Sequence, residues 1–146
     1  MMTVCLAGSV ILFLLLGPAG DPVVRVLPDG EFREVKIRLI DVPGAQRAAT
    51  IENGDASRIA ALARVLRTAR RSSDHKCEST GEIVLRTVEG KTAVLGMLPS
   101  HDGRSFEFRS QSGQGYDVVR VDRDGFIRAM TDLGVKDVYV GHSVAR

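Results

Sequence analysis

The sequence predicts an α+β fold, an antiparallel sheet of about five to six strands with two helices packed on one face. Three observations predict it: runs with the two-residue period of half-buried strands, short turn signals between several of them, and two segments with helical apolar spacing. Consecutive strands on short turns pair antiparallel, and helices then cover one face of the sheet. The 146 residues, 44% of them apolar, suit one domain with its own core.

The first two predicted strands form a hairpin. Residues 23–27 are a short apolar strand, and Pro28-Asp29-Gly30 after them is a turn sequence. Residues 33–40 alternate between apolar and charged side chains, which is the period of a half-buried strand. A loop is expected over residues 41–54, which contain Pro-Gly near the start and Asn-Gly at the end.

Two helices are predicted from apolar spacing and capping residues. The first runs from Ala56 to Arg71 after the N-cap residue Asp55. Its apolar positions are Ile59, Leu62, Ala63, Leu66 and Ala69. The second follows Asp122 and stops at Gly134. Its apolar positions are Phe126, Ile127, Met130 and Leu133.

Four further strands are predicted between the helices. They are 82–88, 91–98, one beginning at Phe106-Glu107-Phe108, and 116–121. Glu89-Gly90 between the first two has hairpin-turn character. A short strand is expected over residues 135–140. The chain order is therefore strand, strand, helix, four strands, helix.

The N-terminal residues predict an export signal. Val4 to Gly17 is an uninterrupted run of apolar and small residues, and the first charged side chain is Asp21. A secretory signal has an apolar core of about 7–15 residues followed by small residues at the cleavage point. Gly17 and Ala19 supply that small pair, so cleavage is expected after Ala19. The run is shorter than the ~20 residues that span a bilayer, and an uncleaved anchor is the alternative.

The predicted organisation is then an export signal over residues 1–19, one compact domain over 21–140 and a frayed tail over 141–146. Export would place the domain in the periplasm, outside the cell, or on a membrane through its N-terminal segment. Removal of the signal also removes Cys5 and leaves Cys77 as the domain's sole cysteine, which excludes an internal disulfide. Cys77 is then a plain thiol, a metal ligand, or the link of a disulfide-bonded dimer.

A metal site is one hypothesis for the polar loops that flank residues 82–98. Its ligands would be His75, Cys77, His101 and Asp102. Imidazole and thiolate donors suit zinc, which takes four ligands in structural sites. If residues 82–88 and 91–98 pair antiparallel, both loops lie at the same end of the sheet. The alternatives are two ordinary solvated loops, or thiol chemistry in which His75 and Lys76 favour the Cys77 thiolate.

A basic helix face is the second candidate. Residues 55–71 contain five arginines and one aspartate. The arginines are Arg58, Arg64, Arg67, Arg70 and Arg71. Basic amphipathic helices bind anionic lipid surfaces or polyanions, whereas the alternative is a solvated outer face whose arginines pair with neighbouring acids. A net charge of only +2 and a 5% aromatic content lead us to expect no nucleic-acid partner.

Catalytic motifs do not occur in the sequence: it lacks H-E-x-x-H, G-x-S-x-G and a phosphate-binding loop. The sequence therefore favours an exported, non-catalytic interaction or accessory domain of the bacterial cell envelope. Its partner would be an envelope protein, an anionic lipid or an anionic polymer. The alternatives are a metal-binding protein or metalloenzyme and a membrane-surface or polyanion binder. No cofactor is expected apart from the zinc of the metal hypothesis.

Overall fold

A seven-stranded antiparallel sheet and two helices make up the structure, a computed structural model that describes residues 21–39, 49–74, 76–99, 103–112 and 115–135. The strands are β1 (Phe32–Leu39), β2 (Ala49–Asn53), β3 (Arg70–Arg71), β4 (Gly81–Thr87), β5 (Thr92–Leu98), β6 (Ser105–Ser112) and β7 (Gly115–Asp122). The helices are α1 (Ala56–Leu66) and α2 (Arg123–Asp132). The α+β class is confirmed, and the sheet has seven strands where five to six were predicted.

The strand order is β2-β1-β4-β5-β6-β7-β3, and all neighbours are antiparallel. The chain crosses the sheet twice. Helix α1 connects β2 at one edge to β3 at the other, and the chain then returns to β4 in the interior of the sheet. Strands β4 to β7 follow one another as a meander, as the short turns between the predicted strands indicate.

The predicted N-terminal hairpin is wrong. Residues 23–27 do not pair with β1, whose neighbours are β2 and β4. Instead Val23 forms an isolated bridge to Arg70, and the Val24 amide donates to the Ala69 carbonyl at 2.8 Å. The alternation of apolar and polar residues shows which side of a strand faces the core, but it does not show which strand pairs with it. Here the position at which the chain leaves α1 determines the partner.

The loop predicted over 41–54 contains β2. Residues 49–53 pair with β1 in register from Leu39↔Ala49 to Val35↔Asn53, so long-range pairing overrides the weak strand preference of the segment. Residues 41–48 lie outside the described residues. So do residues 136–140, where a short strand was predicted, and the tail over 141–146.

Helix α1 begins as predicted and ends early. Oδ1 of Asp55 accepts the amides of Ser57 (3.0 Å) and Arg58 (3.2 Å), which caps the helix. The Ser57 hydroxyl and these amides stabilise the carboxylate and hold the pKa of Asp55 below its ordinary value. The helix stops at Leu66, not at Arg71, because the chain turns there into the extended pairing of β3 with β7.

Two glycines end elements where the sequence predicts turns. Gly90 has φ of +85° in the turn between β4 and β5, and Gly134 has φ of +94° directly after α2. Both values lie in the left-handed region that glycine adopts without steric cost. At the start of α2, Oδ2 of Asp122 accepts the Gly125 amide at 2.7 Å. The cap and stop predicted for this helix are thus both confirmed.

One apolar cluster joins the two helices to what we call the inner face of the sheet. Helix α1 supplies Ile59, Leu62, Ala63 and Leu66, all at most 1% exposed. Phe126 of α2 contacts the rings of Phe106 (4.7 Å between centroids) and Phe108 (5.1 Å). The predicted core positions are buried together, except that Ile127 is only partly buried against the cluster. Neither helix of the described residues has the length and apolar character needed to cross a membrane.

Candidate functional site

The opposite, outer face of the sheet is partly covered by a segment that we call the outer strap, residues 72–74 and 76–80. The Ser72 amide donates to the Val118 carbonyl of β7 at 2.8 Å. At the other end, the Ser79 hydroxyl lies 3.0 Å from the Met97 carbonyl of β5. A Cβ at Gly96 would approach the Ser79 hydroxyl to 3.2 Å, so the glycine allows the strap to lie close to the sheet. The strap therefore crosses β7, β6 and β5.

Beneath the outer strap lies a buried carboxylate. Leu98, Glu107 and Val118 occupy outer-face positions, yet all three are buried, with Glu107 only 7% exposed. The Ser72 hydroxyl donates to Oε1 of Glu107 at 2.5 Å, which partly offsets the cost of burying the carboxylate. Sequence reasoning missed Glu107 because the alternation of Phe106-Glu107-Phe108 places it outward, and only the long-range crossover of the strap covers it.

Cys77 is the one member of the predicted metal site among the described residues. Its side chain is partly buried, it carries a thiol rather than half of a disulfide, and its carbonyl accepts from Nη2 of Arg109 at 3.4 Å. His75, His101 and Asp102 lie outside the described residues. Within the described ranges, no group of three or more His, Cys, Asp or Glu side chains is placed to hold a metal ion.

The hairpin that the metal hypothesis requires is present. Gly81 at the start of β4 pairs with Met97 near the end of β5, and the Thr80 amide donates to the Met97 carbonyl at 2.9 Å. The strap that contains Cys77 thus enters β4 beside the point where the chain leaves β5 toward residue 101.

The five predicted arginines do not share one helix face. Arg58 and Arg64 lie in α1, Arg67 is its C-cap, and Arg70 and Arg71 form β3. The prediction continued the helix past its actual end. The arginines beyond that end belong to a paired strand and do not follow helical spacing.

Neighbouring groups bind or balance the positive charge of most of these arginines. Two of them form ion pairs, Arg58 with Asp55 (3.4 Å) and Arg71 with Asp117 (3.0 Å). Nη2 of Arg67 donates to the Gly30 carbonyl at 3.1 Å, and its guanidinium lies 5.8 Å from the centre of the Phe32 ring. Arg64 has no ion pair within the described part of the chain.

A concave basic site forms where β3 meets β7. We call it the arginine cleft: about 420 Å³, lined by Arg67, Arg70 and Arg120, with Val23, Ser105 and Asp122 among its other walls. Arg70 and Arg120 are directly paired across the two strands. Sequence reasoning missed Arg120 because it is 50 positions from Arg70 in the numbering, and only this register brings the two together.

Asp21 binds both strand arginines of the cleft. Its Oδ2 lies 2.5 Å from Nη2 of Arg120, and its carbonyl accepts from Nη1 of Arg70 at 2.8 Å. Like charges directly opposite each other destabilise a strand pair, so Asp21 relieves the repulsion between the two guanidinium groups. The same contacts fasten residues 21–24 along the edge of the sheet.

Fold and sites together define a small α+β domain with a strapped outer face and an arginine-lined cleft where β3 meets β7. In comparisons with known proteins, no family model matched the chain, and no curated protein or solved structure matched it.

Proposed function

We propose that the protein is an exported, non-catalytic interaction or accessory domain of the bacterial cell envelope. The observation that carries this proposal is the position of Asp21. It is the first charged residue after the apolar run, and Arg120 and Arg70 bind it to the sheet. Asp21 is thus held against the folded domain, which agrees with an export signal that ends at Ala19.

The pairing of the carboxylates on the outer face supports an interaction role. Three of them form ion pairs with strand neighbours: Glu34 with Arg86, Glu52 with Lys36, and Glu82 with Arg38. The hydrogen bond and charge of Lys36 lower the pKa of Glu52. A general acid or base works best with a pKa near the operating pH, so this shift moves Glu52 away from such a role.

Processing of the N-terminal segment tests the proposal. When the full chain is expressed in a bacterium, we expect a mature protein that begins near Gly20 or Asp21 and is recovered outside the cytoplasm. Intact mass and N-terminal sequencing of each cell fraction measure both properties.

The matched control is Leu15→Arg, which places a charge within the apolar run. Because a signal requires an uninterrupted apolar core, this variant should remain in the cytoplasm at its full mass. Recovery of the unchanged chain at full mass in the soluble cytoplasm would refute the proposal.

Metal binding is the second candidate, and the closed β4–β5 hairpin favours it. That pairing brings the strap with Cys77 to the end of the sheet where the chain continues toward His101 and Asp102. With His75, these residues would supply the imidazole, thiolate and carboxylate donors of a zinc site.

Zinc stoichiometry tests this candidate. We expect purified protein to bind about one zinc ion per chain, the value for one four-ligand site. Cys77→Ser should lose most of the metal, because it removes the thiolate donor. Glu78→Gln, a change at the exposed neighbouring position, is the control and should retain it. Full retention of zinc by the Cys77→Ser variant would leave Cys77 as a plain thiol.

A further inference from the structure

We propose that the arginine cleft binds the phosphate of an anionic lipid headgroup and thereby seats the domain on a membrane surface. Guanidinium groups match phosphate oxygens in charge and geometry, and three of them line this one concave site. The inference rests on the proposed function, since export is what brings the domain to a membrane. It shares Arg67 and Arg70 with the basic-helix hypothesis, but it adds Arg120 and places the site where β3 meets β7 rather than on a helix face.

The cleft keeps both positive charge and donors for a ligand. Arg67, Arg70, Arg120 and Asp122 line the cleft, and Asp21 pairs with Arg120, so these five side chains together carry an excess of one positive charge. Each arginine donates one described hydrogen bond, to Gly30, Asp21 and Asp21 respectively, out of the five N–H groups that a guanidinium carries. Cleavage after Ala19 would add the α-ammonium group of Gly20 next to Asp21.

The short distance between the apolar run and Asp21 favours a lipid, rather than a free phosphate ester, as the source of the phosphate. Three residues lie between the end of the apolar run at Gly17 and Asp21, so the four residue steps span at most about 14 Å in an extended chain. The polar layer on each side of a bilayer is roughly 5–8 Å thick. Before cleavage, while the apolar run is held in a membrane, the cleft therefore lies within reach of the headgroups, so processing releases the domain at a surface that its arginines can bind. Val23 on its wall is 61% exposed, an apolar side chain suited to that boundary.

Vesicle cosedimentation tests the proposal on processed protein purified from expressing cells. We expect binding to vesicles of equal parts phosphatidylglycerol and phosphatidylcholine, weakened by salt, and little binding to pure phosphatidylcholine. Each basic side chain near an anionic leaflet raises partitioning about fivefold. The double variant Arg70→Gln with Arg120→Gln should therefore bind about 5- to 30-fold more weakly.

The matched control is the double variant Arg38→Gln with Arg86→Gln. It removes the same charge from two half-exposed, ion-paired outer-face arginines on β1 and β4, and its binding should change less than twofold. Because loss of Arg120 also releases Asp21, a second variant leaves that contact intact. Thr68→Glu places a carboxylate on the cleft wall and should likewise weaken binding, with unfolding curves showing that each variant is folded.

Several outcomes would overturn the proposal. Equal losses in the two double variants would assign binding to overall charge. Equal binding to both vesicle types would assign it to exposed apolar side chains such as Val23 rather than to the phosphate. Binding of soluble glycerophosphate without vesicle binding would replace the lipid by a free phosphate ester. A correctly processed protein that fails to bind vesicles refutes the cleft proposal alone, whereas a full-length cytoplasmic protein refutes the proposed function.

Discussion

Phe126→Ala is expected to destabilise the protein by about 3–5 kcal/mol, the usual cost of removing a buried aromatic side chain. Phe126 is 0% exposed and lies between α2 and the sheet, in contact with Phe106 and Phe108. Truncation removes both ring contacts and leaves a cavity that strands β6 and β7 cannot close, because their positions are set by pairing on both sides. Urea unfolding followed by circular dichroism measures the loss.

Tyr116→Ala is the control for this change. It also truncates an aromatic ring, but Tyr116 is 68% exposed on β7, and surface substitutions cost within about 0.5 kcal/mol. Similar losses at the two positions would mean that α2 does not pack Phe126 against β6.

The burial of Phe126 illustrates what a sequence pattern can predict. Helical spacing and strand alternation depend on neighbours within a few residues, so they assign inner and outer faces correctly for α1, α2 and β1. Caps and turns are equally local, which is why Asp55, Gly90 and Gly134 stand where the sequence places them.

The sequence could not predict which strands and segments pair with each other. The pairing of β1 with β2, the addition of β3 beside β7 and the attachment of residues 21–24 to β3 are contacts between distant segments. The pattern of either partner alone does not encode them. The same holds for the two sites, since Glu107 is buried by a strap more than 25 residues away in sequence, and Arg120 joins Arg70 only through strand register.

Leu62→Ala is expected to cost about 2–5 kcal/mol, whereas Arg64→Ala should cost less than about 1 kcal/mol. The two residues are in the same helix and both become alanine, so the change in backbone helix propensity is similar and the difference between them reports burial. Leu62 is 0% exposed within the core cluster. Arg64 is exposed in the last turn, where it contributes only its favourable interaction with the helix C-terminus.

The same two variants also distinguish the contribution of the buried side of α1 to stability from that of its exposed side. If Leu62 anchors α1 over the inner face, its truncation should lower the unfolding midpoint in urea while the slope of the transition stays unchanged, because the folded state keeps the same extent. The Arg64→Ala variant should unfold close to the parent protein. Equal losses of stability would mean that both side chains have similar surroundings. The helical period of residues 59–66 places them on different faces of the helix, so this result would require α1 to be rotated relative to the sheet.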